Sequence, residues 1–201
     1  PCTTANGSLS VVQSRTIGGK VIYYNGLATR PPLAQERPVK DVTVNLSGGF
    51  TSSIDTLPDG TYSIGALQGQ LNVQPRKRGS HNGAITSFDA ALVAQHLVGL
   101  STLNARQLIA ADANGTGAVV ANDASQIARF AIGSITELKM EADCNSAFAF
   151  VPAATVVANQ TLQQPNTNVL PPPAGSGCVY GEIRYNPLNV NAAGQDFIAI
   201  L

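Results

Sequence analysis

The chain has 201 residues, which is enough for one or two small domains with a hydrophobic core. Hydrophobic residues make up 44%, which excludes a disordered chain, and 12 basic residues balance 12 acidic ones, which argues against nucleic acid as a partner. No apolar run reaches the about 18 residues that a membrane span requires. The 19 glycines and 12 prolines favour short strands joined by turns. No leader segment begins the chain, so for an exported protein we expect a mature or trimmed form.

The first part of the chain, residues 8–77, has the two-residue periodicity of strands. Val42, Val44 and Leu46 alternate with polar residues, as expected for a strand with one buried face. The alternation resumes at Tyr62 and Ile64, after a turn at 58–60. We therefore predict a β domain over residues 1–77.

A resemblance to a known fold lies within this region. The run from Asp59 to Leu67, followed by Gly69 to Val73, resembles the signature of carboxypeptidase-regulatory-like and Cna-B-like domains. The resemblance covers about residues 18–77. It implies an immunoglobulin-like β-sandwich of the kind found in bacterial surface proteins, which acts as a scaffold and performs no chemistry.

Residues 78–134 have the periodicity of helices, because apolar residues recur every three and four positions. They also contain an internal repeat, since residues 79–99 realign on 113–133. Both copies end at a glycine suited to a helix C-cap, with a short linking helix around 104–111. We expect each main helix to bury one apolar stripe. The stripes are Ala90, Val93, Ala94, Leu97 and Val98 in the first copy, and Ala124, Ile127, Ala128, Ala131 and Ile132 in the second.

The second repeat begins with the spacing of an EF-hand loop. Counted from Asp112, oxygen-bearing side chains stand at positions 1, 3, 5 and 12, a glycine stands at position 6, and position 7 can offer its carbonyl. A hard cation needs six to eight such oxygens, and the glycine allows the sharp turn that brings them together. The predicted calcium ligands are Asp112, Asn114, Thr116, Ala118 and Asp123.

The first repeat is degraded at the same positions. The aligned residues are Ser80, Asn82, Ala84, Thr86 and Asp89, and Arg78 takes the place of the first carboxylate. An arginine there removes a ligand and adds a positive charge. We therefore expect the first site to be weak or lost, unless the true ligand set is shifted.

Two loops with matched helices and a short helix between them resemble a type I dockerin, over Gly79 to Gly133. Aspartate at position 12 favours a dockerin over a sensor EF-hand. The resemblance implies calcium as a cofactor and a cohesin domain as a partner. With β segments on both sides, the chain also resembles a larger family of uncharacterised bacterial surface proteins with a dockerin-like part. In that setting calcium would act as a structural staple.

Residues 135–201 are expected to return to strands, which either complete the sandwich or form a second β domain. The predicted strands are 140–150, 155–161, 179–185 and 197–201, with a proline-rich loop before the third. The three cysteines form no CxxC pair, which argues against a zinc site. For an exported protein we expect a Cys144–Cys178 disulfide with Cys2 left over; the alternative is three free thiols.

The sequence as a whole predicts a mainly β fold with a helical insert, namely an immunoglobulin-like β-sandwich with a dockerin-like calcium unit. The leading hypothesis is a non-catalytic extracellular or cell-surface subunit that assembles with itself into a pilus-like fibre. The predicted strand donor is the apolar segment Phe197, Ile198, Ala199, Ile200 and Leu201, and the alternative is that this strand completes its own sheet. The predicted glycosylation sites are Asn6, Asn45 and Asn159, because each begins a sequon.

Two other functions remain open. The main alternative is a dockerin module that docks onto a cohesin partner at the cell surface, with a glycan as a minor alternative ligand. The other is a fragment of a surface hydrolase. We do not expect an enzyme, because the sequence contains no nucleophile elbow.

Overall fold

The computed structural model describes residues 13–24, 37–81, 83–165 and 181–201. Within these residues, strands occur on both sides of a block of four helices. The strands are β1 (Ser14–Tyr23), β2 (Thr43–Gly48), β3 (Ser52–Asp55), β4 (Thr61–Leu67), β5 (Gly69–Arg76), β6 (Ala149–Pro152), β7 (Gln160–Gln163), β8 (Glu182–Leu188) and β9 (Phe197–Ile200). The helices are α1 (Ser87–Leu97), α2 (Ala105–Ala111), α3 (Ala121–Ala131) and α4 (Lys139–Cys144). The protein is therefore mainly β with a helical insert.

The strands form two sheets that each combine the two flanks of the insert. One sheet has the order β4-β1-β9-β6, and the other has the order β3-β2-β5-β8-β7. Neighbours in both sheets are antiparallel except β1 and β9, which run parallel. The strands that follow the helices thus complete the sheets begun before the helices, and they do not form a separate β domain.

A single hydrophobic core lies between the two sheets. The alternation in β2 and β5 places Val44, Leu46, Leu71 and Val73 inside, each at most 1% exposed. Aromatic residues from the second flank join the same core, among them Phe148, Phe150, Tyr185 and Phe197. Burial of one such side chain contributes about 1.5–3 kcal/mol to stability. The two-sheet core agrees with a mainly β architecture, and its immunoglobulin-like character stays a prediction.

The two ends of the helical insert are joined by hydrogen bonds. The backbone N–H of Ala147 donates to the carbonyl of Lys77 over 2.7 Å. The hydroxyl of Ser146 accepts from the Lys77 N–H at 3.2 Å and donates to the Phe148 carbonyl at 2.8 Å. The chain therefore leaves the β core and rejoins it at the same point. The helical insert does not separate the strands before it from the strands after it.

The structure differs from the predicted strand over 140–150. The first half of this segment is helix α4, and only its end belongs to β6. Met140 and Ala142 alternate with polar residues, which suggested a strand. The helix ends at Asn145, which adopts the left-handed conformation with φ +57 and donates its N–H to the Glu141 carbonyl at 2.9 Å. Such a C-cap is specified by one residue and leaves no periodic signal.

The predicted strand donor lies inside its own sheet. Phe197 to Ile200 form β9, which pairs with β1 on one side and β6 on the other, and Leu201 follows the strand. The aromatic ring of Phe197 is fully buried. The apolar character of this segment is therefore explained by burial in its own core, and the pairing differs from the predicted transfer to a neighbouring subunit.

Candidate metal centre

The helical insert has its own small core, in which α1 packs against α3. Ala90 and Val93 of α1 and Ile127 of α3 are buried there, as the spacing of three and four predicts. The predicted stripes are buried only in part, because Ala94, Leu97, Val98 and Ile132 are exposed. Gly99 and Gly133 have φ of +77 and +71, as expected for C-caps.

The second loop connects the end of α2 to the start of α3, and its backbone N–H groups donate hydrogen bonds to its own side chains. Asp112 accepts hydrogen bonds from the backbone N–H of Thr116 at 3.0 Å and of Gly117 at 2.7 Å. Asn114 Oδ1 accepts from the same Thr116 N–H at 2.9 Å. Gly117 has a φ of +81, which strains any other residue. The loop therefore turns its oxygen-bearing side chains inward.

Asp123 ties this loop to the helix that follows. Its Oδ1 accepts from the Asn114 N–H at 3.0 Å, and its Oδ2 accepts from the Val120 N–H at 2.8 Å. Because Asp123 is the third residue of α3, its charge also interacts favourably with the helix N-terminus. Three of the predicted ligands, Asp112, Asn114 and Asp123, thus meet within one buried loop.

The electrostatics of the second loop favour a bound cation. Burial raises the pKa of Asp112 above its ordinary value, against the effect of the backbone hydrogen bonds. Burial also raises the pKa of Asp123, and the nearby charge of Asp112 raises it further. A cation between these carboxylates would reverse both shifts, since it stabilises the charged forms.

The donor set of the second loop fits a hard, oxygen-seeking cation. Among the residues that the structure describes, no three His, Cys, Asp or Glu side chains group as a metal centre, so the loop has two carboxylates only. The other oxygens must come from Asn114, Thr116 and the carbonyl of Ala118, from which the Thr116 hydroxyl lies 3.3 Å away. Carboxylate, amide, hydroxyl and carbonyl oxygens are the donors that calcium prefers.

The first loop does not fit a cation. Its one carboxylate, Asp89, accepts from the N–H and the hydroxyl of Thr86, both at 2.7 Å. Arg78, at the position of Asp112, instead forms an ion pair with Glu137. Ser80 and Ala84 lie in the described part of this loop, whereas Asn82 lies outside the described residues. That the first site is weak or lost stays a prediction.

The sequence did not indicate the residue that holds the first loop. Glu141 of α4 is buried, accepts from the Gly79 N–H at 2.6 Å and lies 3.0 Å from His81 Nε2. The His81 ring also packs edge-on against Phe130. A lone glutamate in a segment with strand-like alternation carries no recognisable pattern, so nothing in the sequence pointed to it.

The remaining predicted sites lie outside the helical loops. Asn45 is partly buried in β2 and its amide donates to the carbonyls of Thr43 and Gln74, both at 3.3 Å, which leaves it poorly placed for a glycan. Asn159 is exposed before β7. Asn6, Cys2 and Cys178 lie outside the described residues. The glycosylation sites and the Cys144–Cys178 disulfide therefore stay predictions.

Comparison with known proteins gives one match. No curated protein and no solved structure matches the chain. Within the described residues, none of the helices has the length and apolar character needed to cross a membrane. Residues 80–130, about a quarter of the chain, match the family model described as Dockerin type I domain, so the segment that contains both loops is similar to dockerins of that type.

Proposed function

We propose that the chain is a non-catalytic, extracellular binding module that takes calcium in its second loop and docks onto a cohesin partner through its helical unit. The observation that carries the proposal is the dockerin match over 80–130, which covers most of the first loop, the whole second loop, α1, α2 and all but the last residue of α3. The oxygen-rich second loop supports the calcium part, because Asp112 and Asp123 are both buried there.

The second loop would hold calcium through Asp112, Asn114, Thr116, Ala118 and Asp123. When bound, calcium would neutralise two buried carboxylates. The residues themselves fix the loop, since Asp112 and Asn114 both accept from the Thr116 N–H and Asp123 fastens the loop to α3. Calcium binding is therefore coupled to the position of α3 relative to α1.

A partner surface is available on the outside of the helical unit. Phe88 is 67% exposed at the start of α1, Val98 and Leu100 are 70% and 78% exposed after its end, and Ile132 is 76% exposed after α3. Exposed apolar side chains mark an interaction site when they form a continuous patch, and we propose that these residues contribute to the contact with the partner. A cohesin-binding face at these positions would explain why the apolar stripes predicted for α1 and α3 include residues that are not buried in the helical core.

The test is a binding measurement with purified protein and a panel of cohesin domains, by calorimetry in calcium and in chelator. We expect a one-to-one complex with at least one cohesin in calcium and much weaker binding in chelator. The matched control is Asp112→Asn, which should weaken the complex even in calcium. Binding to no cohesin would contradict the docking proposal and would leave the calcium part to be judged from calcium titration.

The fibre hypothesis has less support than docking. β9 is paired on both sides within its own chain, so exchange would require the sheet to open between β1 and β6. Negative-stain microscopy is the direct test. Fibres that disappear when residues 195–201 are removed would favour self-assembly over docking, and single particles would contradict it.

A further inference from the structure

The first loop is held by a side chain from outside the repeat. The carboxylate of Glu141 in α4 accepts the Gly79 N–H at 2.6 Å through Oε1 and lies 3.0 Å from His81 Nε2 through Oε2. Both of its oxygens are therefore used on the loop. Its side chain is only 5% exposed, so this contact is made away from solvent, where a charged hydrogen bond is strong.

The loop backbone at this point needs support. Gly79 and Ser80 are both in the left-handed conformation, with φ of +61 and +59. A non-glycine residue in that conformation costs about 1–2 kcal/mol. Glu141 contacts Gly79, the residue before Ser80, and His81, the residue after it. The strained residue therefore lies between two contacts to the same carboxylate.

Other residues at the end of the insert hold the start of the loop. The guanidinium of Arg78 forms an ion pair with Glu137 and donates to Asn145 Oδ1 at 3.2 Å. Glu137, Glu141 and Asn145 all lie beyond the matched segment, which ends at residue 130. The three residues that hold the start of the first loop therefore lie outside the segment that is similar to dockerins.

The two loops bind their backbone N–H groups to carboxylates from different parts of the chain. In the second loop, carboxylates of the loop itself accept the backbone N–H groups of Asn114, Thr116 and Gly117, and a cation would offset their repulsion. In the first loop, the carboxylate that contacts Gly79 and His81 comes from Glu141 of α4, and Arg78 pairs with Glu137, which precedes α4. The start of the first loop is thus held by acidic groups from outside the loop.

We propose that Glu141 replaces calcium as the element that orders the first loop, so that the helical unit binds one calcium ion and keeps its first loop folded without it. Only the count of one ion rests on the proposed function, through the second loop. The ordering of the first loop rests on Glu141 alone and can be tested separately.

The experiment uses the full chain and calcium alone as the probe. Calorimetry gives the number of ions bound, and amide hydrogen exchange gives the protection of Gly79 and of Gly117 in calcium and in chelator. The variants are Glu141→Leu, which removes both acceptors at similar volume, and Glu141→Gln, which keeps one carbonyl oxygen if the first variant does not fold. The control is Asp143→Asn, an exposed acid on the same helix that pairs with Lys139.

We expect wild type to bind one ion and to protect the Gly79 amide equally with and without calcium. In Glu141→Leu the Gly79 amide should exchange at least about tenfold faster, the effect of losing one charged hydrogen bond, while Gly117 in calcium stays unchanged. Glu141→Gln should give an intermediate rate and Asp143→Asn the wild-type rate.

Three results would overturn the proposal. They are two bound ions, Gly79 protection that depends on calcium, or wild-type exchange of Gly79 in both Glu141 variants. If no calcium binds at all while Gly79 stays protected, the calcium part of the proposed function fails and the role of Glu141 stands.

Discussion

At the scale of single residues, the protein places two carboxylates where burial makes the charged form of each unfavourable. Asp112 and Asp123 are buried in one loop, and burial raises the pKa of both groups. The folded state without metal therefore binds their protons more tightly than the unfolded state does. Their contribution to the free energy of unfolding is lowest at neutral pH, grows as the pH falls through the raised folded pKa, and is complete below the unfolded pKa.

The first prediction concerns Asp112→Asn. In calcium at about 100 times its Kd, wild type should gain about 2.7 kcal/mol of stability over chelator, and the variant should gain much less. In chelator, wild type should gain stability relative to the variant as the pH is lowered from 7, because only wild type has a carboxyl group at position 112 that takes up a proton. Thermal unfolding over pH checks both. A wild-type melting temperature that is the same in calcium and in chelator would contradict the calcium site.

The second prediction concerns the docking surface. Phe88→Asp places a charge on an exposed side chain at the start of α1, where an acidic residue favours the helix, so folding should be retained. We expect cohesin affinity to fall at least about tenfold, as for loss of a contact residue near the centre of an interface. The matched control is Val156→Asp, which is 84% exposed in the β part. Equal affinities for the two variants would place the interface elsewhere.

At the scale of elements, the sequence was informative where the pattern is local. The spacing from Asp112 to Asp123 and the two helix stripes are contained within a few turns, and the structure has the second loop, α1 and α3 at these positions, although it buries only part of each stripe. The role of Glu141 was not predictable, because its partner His81 is 60 residues away and neither residue belongs to a motif. For the same reason, the sequence left open whether β9 pairs within its own chain or with a neighbour.

The third prediction concerns two glycines in the strand region. Gly181, just before β8, has a φ of +88, and a Cβ there would lie 1.7 Å from the Phe150 carbonyl oxygen. Gly181→Ala should cost about 3 kcal/mol or more, because strain and a backbone clash add. Gly65→Ala in β4, where nothing lies within 4 Å of a Cβ, should change stability by at most about 0.5 kcal/mol. Urea unfolding of both variants checks this, and similar midpoints would show that β6 and β8 can separate.

At the scale of the whole molecule, the helical unit is an insertion closed at its base. Lys77 and Ala147 are hydrogen-bonded neighbours although the entire dockerin-like segment lies between them. The two sheets contain all the strands named here and share a core that is distinct from the core of the helices. We therefore expect the β part to fold without the insert.

The fourth prediction follows from that closure. A chain in which a short Gly-Asn turn replaces residues 79–145 should still fold, since the ends to be joined are already adjacent and a short loop costs little entropy. We expect a β-type circular dichroism spectrum with cooperative unfolding, and no calcium or cohesin binding. A product without cooperative unfolding would show that the helices are needed to complete the β core.

The position of β9 has a consequence for the order of folding. Val21 of β1 pairs with Phe197, and β6 reaches β1 only through this strand. While a chain emerges from a ribosome or a secretion channel, N-terminus first, a gap one strand wide persists in this sheet. Until residues 197–200 fill it, β1 exposes an open edge, and β6 does so as well once residues 149–152 have emerged, so the unfinished chain is open to pairing with other strands.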